Sequence, residues 1–335
     1  METDLPPDLR AGLDGMMRGV ARTALAQRAT ATSKAYRSGR GSAQIIRSMD
    51  DALAYALARL PATFAATTAV LAALSEAVPH FAPRTLLDVG AGPGTASWGA
   101  MRCFPRLTRI ELLDENEFLR RLAGELLSLS TSDVLREAAY RQGVAQQLLN
   151  AIEPADLTIA GYFIGEVPDD LLPSTADGLW SKTTGILVII EPGTPAGFRR
   201  IRKLRSHLID RKAHVICPCP HDLACPLTGD DWCHFSQRLN RSRDHRQVKG
   251  ASLPFEDEKF SYVVFSRHEP ATPADRVLAA PRVSKASITT KLCTPEGLVM
   301  DVVSRRERDT YRVRKSWRWG DAVSRSAVPA IEGNE

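Results

Sequence analysis

Three glycines stand at alternate positions in Asp88-Val-Gly-Ala-Gly-Pro-Gly94, directly after the apolar run Thr85 to Val89 and before a helical pattern. Gly90, Gly92 and Gly94 allow a sharp turn and a close approach of backbone to ligand. The helix that follows points free N–H groups at the same spot, so the stretch makes a cradle for a small molecule. A dinucleotide fingerprint, Gly-x-Gly-x-x-Gly, would place its third glycine where this chain has Thr95, which disfavours NAD. A second short apolar run, Arg109 to Asp114, ends in an acid at about the distance from the glycines where a strand-end carboxylate accepts hydrogen bonds from ribose hydroxyls. Asp114 is the candidate, with Glu115 and Glu117 as substitutes if the strand ends later.

A second group of residues suited to chemistry lies between Val215 and Phe235. Cys219, Cys225 and Cys233 sit on a Pro- and Gly-rich loop, separated by five and seven residues. Cys293, in Lys-Leu-Cys-Thr-Pro-Glu-Gly, can complete a four-thiolate shell. Such a shell suits either an iron-sulfur cluster or structural zinc, and zinc held by cysteines with His221 or His234 stays open. The C-x2-C pairs of zinc ribbons and the C-x3-C-x2-C of radical enzymes are both missing, so the expected role is structural. Cys217 is read as a spare and Cys103 as a core residue.

The elements that must position these groups alternate. After the glycine loop and its helix come the strand ending at Asp114, a helix over about 117–129, a weak strand near 140–144, a buried strand from Asp156 to Ile164 and another from Gly185 to Gly193. Alternation of strands and helices implies a parallel sheet with ligands at the carboxyl ends of the strands. Asp88 two residues before Gly-x-Gly-x-Gly resembles the first motif of class I methyltransferases that bind S-adenosylmethionine. The expected fold is therefore α/β, Rossmann-like, behind a helical N-terminal layer and with a cysteine-rich metal-binding insertion. At the end of the fourth strand, Ala160-Gly-Tyr-Phe-Ile-Gly-Glu166 lacks the Asp/Asn-Pro-Pro-Tyr/Phe of amino-group methylation and the Pro-Cys nucleophile of pyrimidine methylation. Tyr162 and Glu166 are the candidates there for positioning or general-base work, with core packing and a loop salt bridge as alternatives.

The chain of 335 residues, 44% hydrophobic and 25% charged, is long enough for about two domains. We divide it into a helical region 1–80, a methyltransferase-like core 81–213, a cysteine-rich insertion 214–250, and the remaining core strands with a basic β-rich part, 251–335. The helical pattern runs from Pro6 to about Pro79, with Asp50 as the N-cap of an Ala-rich segment interrupted at Pro61. The longest uncharged apolar run, Leu60 to Ser75, contains Pro61 and several Thr and falls short of the roughly 20 strongly apolar residues of a membrane span, so no membrane segment is expected. An N-terminus carrying Asp4, Asp8 and Asp14 leads to an expected cytoplasmic location.

The net charge of +5 is unevenly spread. Residues 199–249 carry twelve Lys/Arg against five Asp/Glu, and residues 282–318 carry ten against four. Tyr311, Trp317 and Trp319 interleave with the second run, so stacking on single-stranded bases is one reading and packing in a β-rich tail the other.

Taken with Ala35-Tyr-Arg-Ser-Gly39, Ala54-Tyr-Ala-Leu-Ala-Arg-Leu-Pro-Ala-Thr63, Leu86-Leu-Asp-Val-Gly-Ala-Gly-Pro-Gly-Thr95, Cys219-Pro-His followed by Cys225-Pro and Trp232-Cys-His-Phe235, Leu292-Cys-Thr294 and Trp319-Gly-Asp321, nearly the whole chain resembles the Rsm-type family of small ribosomal subunit methyltransferase-like assembly factors. Mitochondrial members of that family assist small-subunit assembly, and the family has bacterial relatives. The resemblance implies that Cys219, Cys225, Cys233 and Cys293 ligate a 4Fe-4S cluster. It also implies partners in small-subunit ribosomal RNA and ribosomal proteins, with a monomer expected off the ribosome. The rival expectation is an S-adenosylmethionine-dependent methyltransferase of a small molecule or protein with a structural zinc site.

Overall fold

In a computed structural model, residues 4–37, 41–269 and 274–325 are described. Four helices come first: α1 (Pro7–Met16), α2 (Arg22–Arg37), α3 (Ser42–Ile45) and α4 (Met49–Ala77). Ser38 and Gly39 of the Tyr-Arg-Ser-Gly motif lie outside the described residues. The core follows as β1 (Thr85–Val89), α5 (Thr95–Cys103), β2 (Arg109–Asp114), α6 (Glu117–Ser128), α7 (Asp133–Arg136), β3 (Ala139–Gln142), α8 (Ala145–Leu148), β4 (Ala155–Gly161), α9 (Leu172–Ser181), β5 (Thr183–Pro192) and α10 (Pro195–Asp210). Then come β6 (His214–Cys217), β7 (Phe235–Asn240), α11 (Arg243–Lys249), β8 (Phe255–Ser266), β9 (Asp275–Val277), β10 (Arg282–Val283), β11 (Ser287–Thr294), β12 (Gly297–Ser304), α12 (Arg308–Ser316) and β13 (Ala322–Val323).

The main sheet has the order β3-β2-β1-β4-β5-β8-β6, with β7 also on β8. Strands β1 to β5 are parallel, and β8 runs antiparallel to its neighbours. The inner strands are apolar on both faces because both faces are covered. Leu86, Leu157, Ile159, Ile186, Val188 and Val264 join one core, and Leu87, Val89, Ala160, Leu187, Ile189 and Phe265 the other. Residues 214–250 contribute β6 and β7 to this sheet, so the cysteine-rich part is the loop between those two strands.

Helix α4 shows how packing overrides local signals. Its N-cap is Ser48, whose hydroxyl accepts the Asp51 N–H at 3.1 Å, rather than Asp50. It also runs unbroken through Pro61, where an interruption was expected. Proline removes one backbone bond, but Leu57, Leu60 and Phe64 around it are buried against the core and hold the helix on both sides. By length and composition α4 could cross a membrane, yet 72% of its most apolar window is buried inside the protein. It packs on α2, α5 and α6 and across β7 and β8.

The C-terminal strands form a smaller sheet with its own core of Val277, Leu292, Trp317 and Val323. Packing decides the fate of the aromatic residues there. Trp317 is buried under Arg314, whose guanidinium lies 4.1 Å from its ring, and Arg314 pairs with Asp301 at 2.9 Å. Trp319 packs edge-on against His234. The two tryptophans are therefore structural, and the basic run that holds them is largely a helix, α12, rather than a strand.

Candidate functional site

Every expected small-molecule residue converges at the carboxyl ends of β1, β2 and β4. Gly90, Gly92 and Gly94 all have positive φ, at 69°, 54° and 79°. At Gly90 no side chain fits, since an added Cβ would lie 2.5 Å from the Phe163 side chain. The loop is braced from β2: the Gly90 and Ala91 N–H groups donate to the Leu113 carbonyl at 2.8 and 3.0 Å. Asp114 accepts the Gly92 N–H at 2.8 Å on one oxygen and the Asn116 N–H at 2.8 Å on the other. Burial raises its pKa above the usual carboxylate range. Tyr140, on the weakly patterned β3, donates its hydroxyl to the Gly92 carbonyl at 2.7 Å.

Asp88 also lines the pocket at this edge, with its carboxylate engaged by α5. Its carboxylate accepts the backbone N–H of Ser97 at 3.0 Å and the Ser97 hydroxyl at 2.8 Å, tying β1 to α5.

Asp88, Gly90, Gly92, Asp114 and Glu115 line a pocket of about 250 Å³ that extends toward Tyr162 and Glu166. Both candidates are engaged. Tyr162, at a left-handed φ of 58°, donates its hydroxyl to Glu258 at 3.1 Å, and Arg59 pairs with the same carboxylate at 2.8 Å. Burial pushes the Tyr162 hydroxyl well above its ordinary range, so it serves as a hydrogen-bond donor and not as a base. Glu166 accepts the N–H and the hydroxyl of Ser42, each at 2.7 Å. Asn116 donates from its side chain to the Ile46 carbonyl at 3.0 Å, so α3 is held over the pocket from both sides. Sequence reasoning missed Ser42, Arg59, Asn116, Tyr140 and Glu258. Asn116 alone carried a local signal, as an N-cap before α6.

Two buried carboxyls beside the site make stability depend on pH. Burial pushes Asp88 and Glu191 each up to about 7, from ordinary values of 3.8 and 4.5. Glu191 is fully buried at the end of β5, accepts the Gly165 N–H at 3.2 Å and lies 3.8 Å from Arg200. The native chain thus binds more protons than the unfolded one, and stability falls as pH rises from about 4.5 through about 7. Glu191→Gln is expected to flatten that decline. At about 1.4 kcal/mol per pH unit across the window, the difference reaches roughly 3 kcal/mol by pH 8. Thermal melts from pH 5 to 8 read it, and parallel slopes for the two proteins would refute the assignment.

The cysteine loop builds a second site. Cys219, Cys225, Cys233 and Cys293 line one small cavity of about 30 Å³ on the far side of the sheet edge. Three come from the irregular loop between β6 and β7 and the fourth from β11. Cys217 is fully buried on β6 and does not line it, and Cys103 lies on α5. His221 approaches Cys293, with Nε2 at 3.5 Å from Sγ. His234 is stacked on Trp232 at 4.9 Å and takes no part in the lining. Among the described residues no group of three or more His, Cys, Asp or Glu side chains is spaced to hold a metal ion.

The strand order, with an antiparallel β8 and a glycine loop at the point where the order reverses, defines the class: a Rossmann-like domain of the class I methyltransferase type. Solved structures similar to the chain include an O-methyltransferase family protein from Burkholderia thailandensis (11% identity, covering 69% of this chain and 64% of that one, TM-score 0.43). Another is magnesium protoporphyrin IX methyltransferase from Synechocystis PCC 6803 (12% identity, 70% and 90% covered, TM-score 0.40). Within that class the chain belongs to the Rsm22 family, described as mitochondrial small ribosomal subunit Rsm22, which matches residues 49–324.

Curated relatives include the human mitochondrial ribosome assembly protein METTL17, 29% identical over 305 residues, and the fission yeast mitochondrial Rsm22-cox11 tandem protein 2, 26% identical over 251 residues. The alignments cover 81% and 66% of this chain. The chain spans 62% of the human protein's length and 32% of the yeast protein's.

Proposed function

We propose that this chain is an assembly factor of the small ribosomal subunit that binds ribosomal RNA, keeps a pocket for S-adenosylmethionine and carries an iron-sulfur cluster on four cysteines. The observation that carries this reading is the extent of the family match. Residues 49–324 take in the Rossmann-like core, the cysteine loop and the small sheet together, so the kinship reaches beyond the shared core. The protein acts in the compartment of the ribosome it serves, which in a bacterial cell is the cytoplasm, and is a monomer away from it.

The pocket residues fit the sulfonium cofactor. Gly90 and Gly92 would let its backbone-facing side approach, and Asp114 keeps acceptor capacity for ribose hydroxyls beyond its two backbone bonds. When bound, S-adenosylmethionine supplies an electrophilic methyl group. The groups around it are committed elsewhere: Tyr162 to Glu258, and Glu166 to Ser42. That commitment favours a binding and assembly role over methyl transfer. Cys219, Cys225, Cys233 and Cys293 border one cavity with no carboxylate among them, a donor set of the soft-metal kind, and a cluster there would tie the loop bearing Cys219, Cys225 and Cys233 to β11 through Cys293. The exposed cations Arg305, Arg306, Arg308, Arg312, Lys315 and Arg318 supply a surface for phosphates.

Small-subunit RNA should bind with an affinity that falls steeply as salt rises, because each neutralised phosphate releases counterion. Deleting the gene should deplete mature small subunits. Restoring it as wild type should correct this, and Gly92→Val should correct it as well, although it abolishes S-adenosylmethionine binding in calorimetry. Failure of Gly92→Val, together with one methyl group missing from the RNA, would make the protein an enzyme instead. Normal small subunits after deletion would sink the ribosomal reading.

A further inference from the structure

The small sheet leaves one edge and part of one face open. β12 pairs with β11 along all eight of its residues, and among the described residues its other edge has no strand beside it. Successive residues of a strand point to opposite faces. Asp301 and Val303 turn toward α12, where Arg314 takes the Asp301 carboxylate and Val303 is buried. Leu298, Met300 and Val302 turn the other way and are 41%, 54% and 60% exposed. No other strand has more than one large apolar side chain so exposed among the described residues, so the three form a continuous strip rather than scattered exposure. Residues directly opposite in a ladder share a face, which sets Lys291 beside Met300, Thr289 beside Val302, and Arg282 of β10 beyond Thr289. Lys291 is paired with Asp231. Arg282, and Lys285 in the turn between β10 and β11, are exposed and have no ion pair among the described residues. The nearby carboxylates of Asp301 and Glu296 are held by Arg314 and Arg325. The charge left unbalanced at the Val302 end of the strip is therefore positive.

We propose that β12 is the docking edge for an extended peptide of a partner protein, which adds as one more strand, sets alternate apolar side chains beside Leu298, Met300 and Val302, and points an acidic end toward Arg282 and Lys285. An edge strand presents free backbone N–H and C=O groups that a peptide main chain matches and a nucleotide chain does not. Bases stack on aromatic rings, whereas this strip is aliphatic and the tryptophans nearby are committed, Trp317 to the core and Trp319 to His234. The proposal draws on the small sheet alone, so neither the contents of the glycine-loop pocket nor those of the cysteine loop bear on it.

The test uses the full-length protein and two fluorescein-labelled synthetic peptides, Glu-Glu-Val-Thr-Val-Thr-Val and its reverse, one for each direction of the added strand. Binding is read by fluorescence anisotropy and by amide hydrogen exchange. One of the peptides should bind and slow exchange along β12. Methylating alternate backbone nitrogens of that peptide should abolish binding in one frame and spare it in the other, since every second N–H of an added strand faces its neighbour. Met300→Lys, at an exposed position that thermal melts should show to leave the fold intact, should weaken binding about tenfold. Arg282→Glu/Lys285→Glu should weaken it about threefold, and a peptide with Lys-Lys in place of Glu-Glu should recover that loss.

Absence of binding by both peptides at about 1 mM overturns the proposal. So does equal binding by the two methylation frames, which would mean adsorption without main-chain pairing, or undiminished binding by Met300→Lys. A uridylate oligonucleotide that slows β12 exchange where the peptides do not would make single-stranded RNA the occupant. A concentration-dependent rise in mass that Met300→Lys removes would make it a second copy of this chain. Either result overturns the peptide assignment.

Discussion

Cys293→Ser is expected to empty the cysteine site and loosen two separate parts of the chain at once. Cys293 lies on β11 of the small sheet, whereas its three partners lie on the loop after β6. Apart from the proposed metal, that junction is carried among the described residues by few polar links, such as Arg276 to the Pro218 carbonyl and Lys291 to Asp231. The small sheet has a core of only a few side chains of its own. A structural metal contributes on the order of 10 kcal/mol, comparable to the whole net stability of a domain. The substitution should therefore remove iron and sulfide and open protease sites in the 218–234 loop and near residue 293, while the main sheet stays resistant. Cys103→Ser, on α5 and away from the cavity, should keep the metal. Full iron content in Cys293→Ser would show that the fourth ligand lies elsewhere, and a colourless wild type with stoichiometric zinc would replace the cluster with zinc.

Gly90→Ala should be the most damaging single change in the glycine loop. The backbone there has a φ of 69°, which costs an alanine about 1 kcal/mol. The new Cβ would also stand 2.5 Å from atoms of Phe163, and overpacking of that kind costs about 1 to 3 kcal/mol. A total of roughly 2 to 4 kcal/mol should appear as a lower midpoint in urea. The same change at Gly92 meets only Leu119, at 3.9 Å, so Gly92→Ala should carry the backbone term alone. Because the clash includes the Phe163 Cβ at 2.5 Å, which an alanine would keep, the relieving partner is glycine: Gly90→Ala/Phe163→Gly should be less destabilised than the sum of its single changes. Strict additivity would mean that Phe163 is not the obstacle.

Much of the pocket was legible in local sequence because its parts are local. A strand, three glycines and a helix are consecutive, and the acid at the end of β2 comes at the distance one helical crossover requires, so Asp114 could be placed by counting. Its observed bond to the Gly92 N–H joins neighbouring strands of the sheet. Pro61 was misread for the complementary reason: a proline is a local signal, and the burial that overrides it comes from α5, β7 and β8 packing around α4. Likewise Trp317 and Trp319 read equally well as base-stacking or packing residues until the small sheet and His234 were in place around them.

The sequence by itself determined that an α/β core begins near residue 85, that a glycine loop follows its first strand at the mouth of a pocket, and that four cysteines out of six come to one cavity. These conclusions follow from residue type and spacing, which short-range sterics and turn geometry translate directly into structure. Only the tertiary structure decided what those residues are free to do. Ser42 reaches Glu166 across 124 positions and Tyr162 reaches Glu258 across 96. Arg205 and Cys293 meet at the same cavity from α10 and β11. No spacing rule specifies such pairs. They arise when β4, β5 and β8 are ordered side by side and the helical layer is laid over their ends, and burial then sets the protonation and pairing of each group.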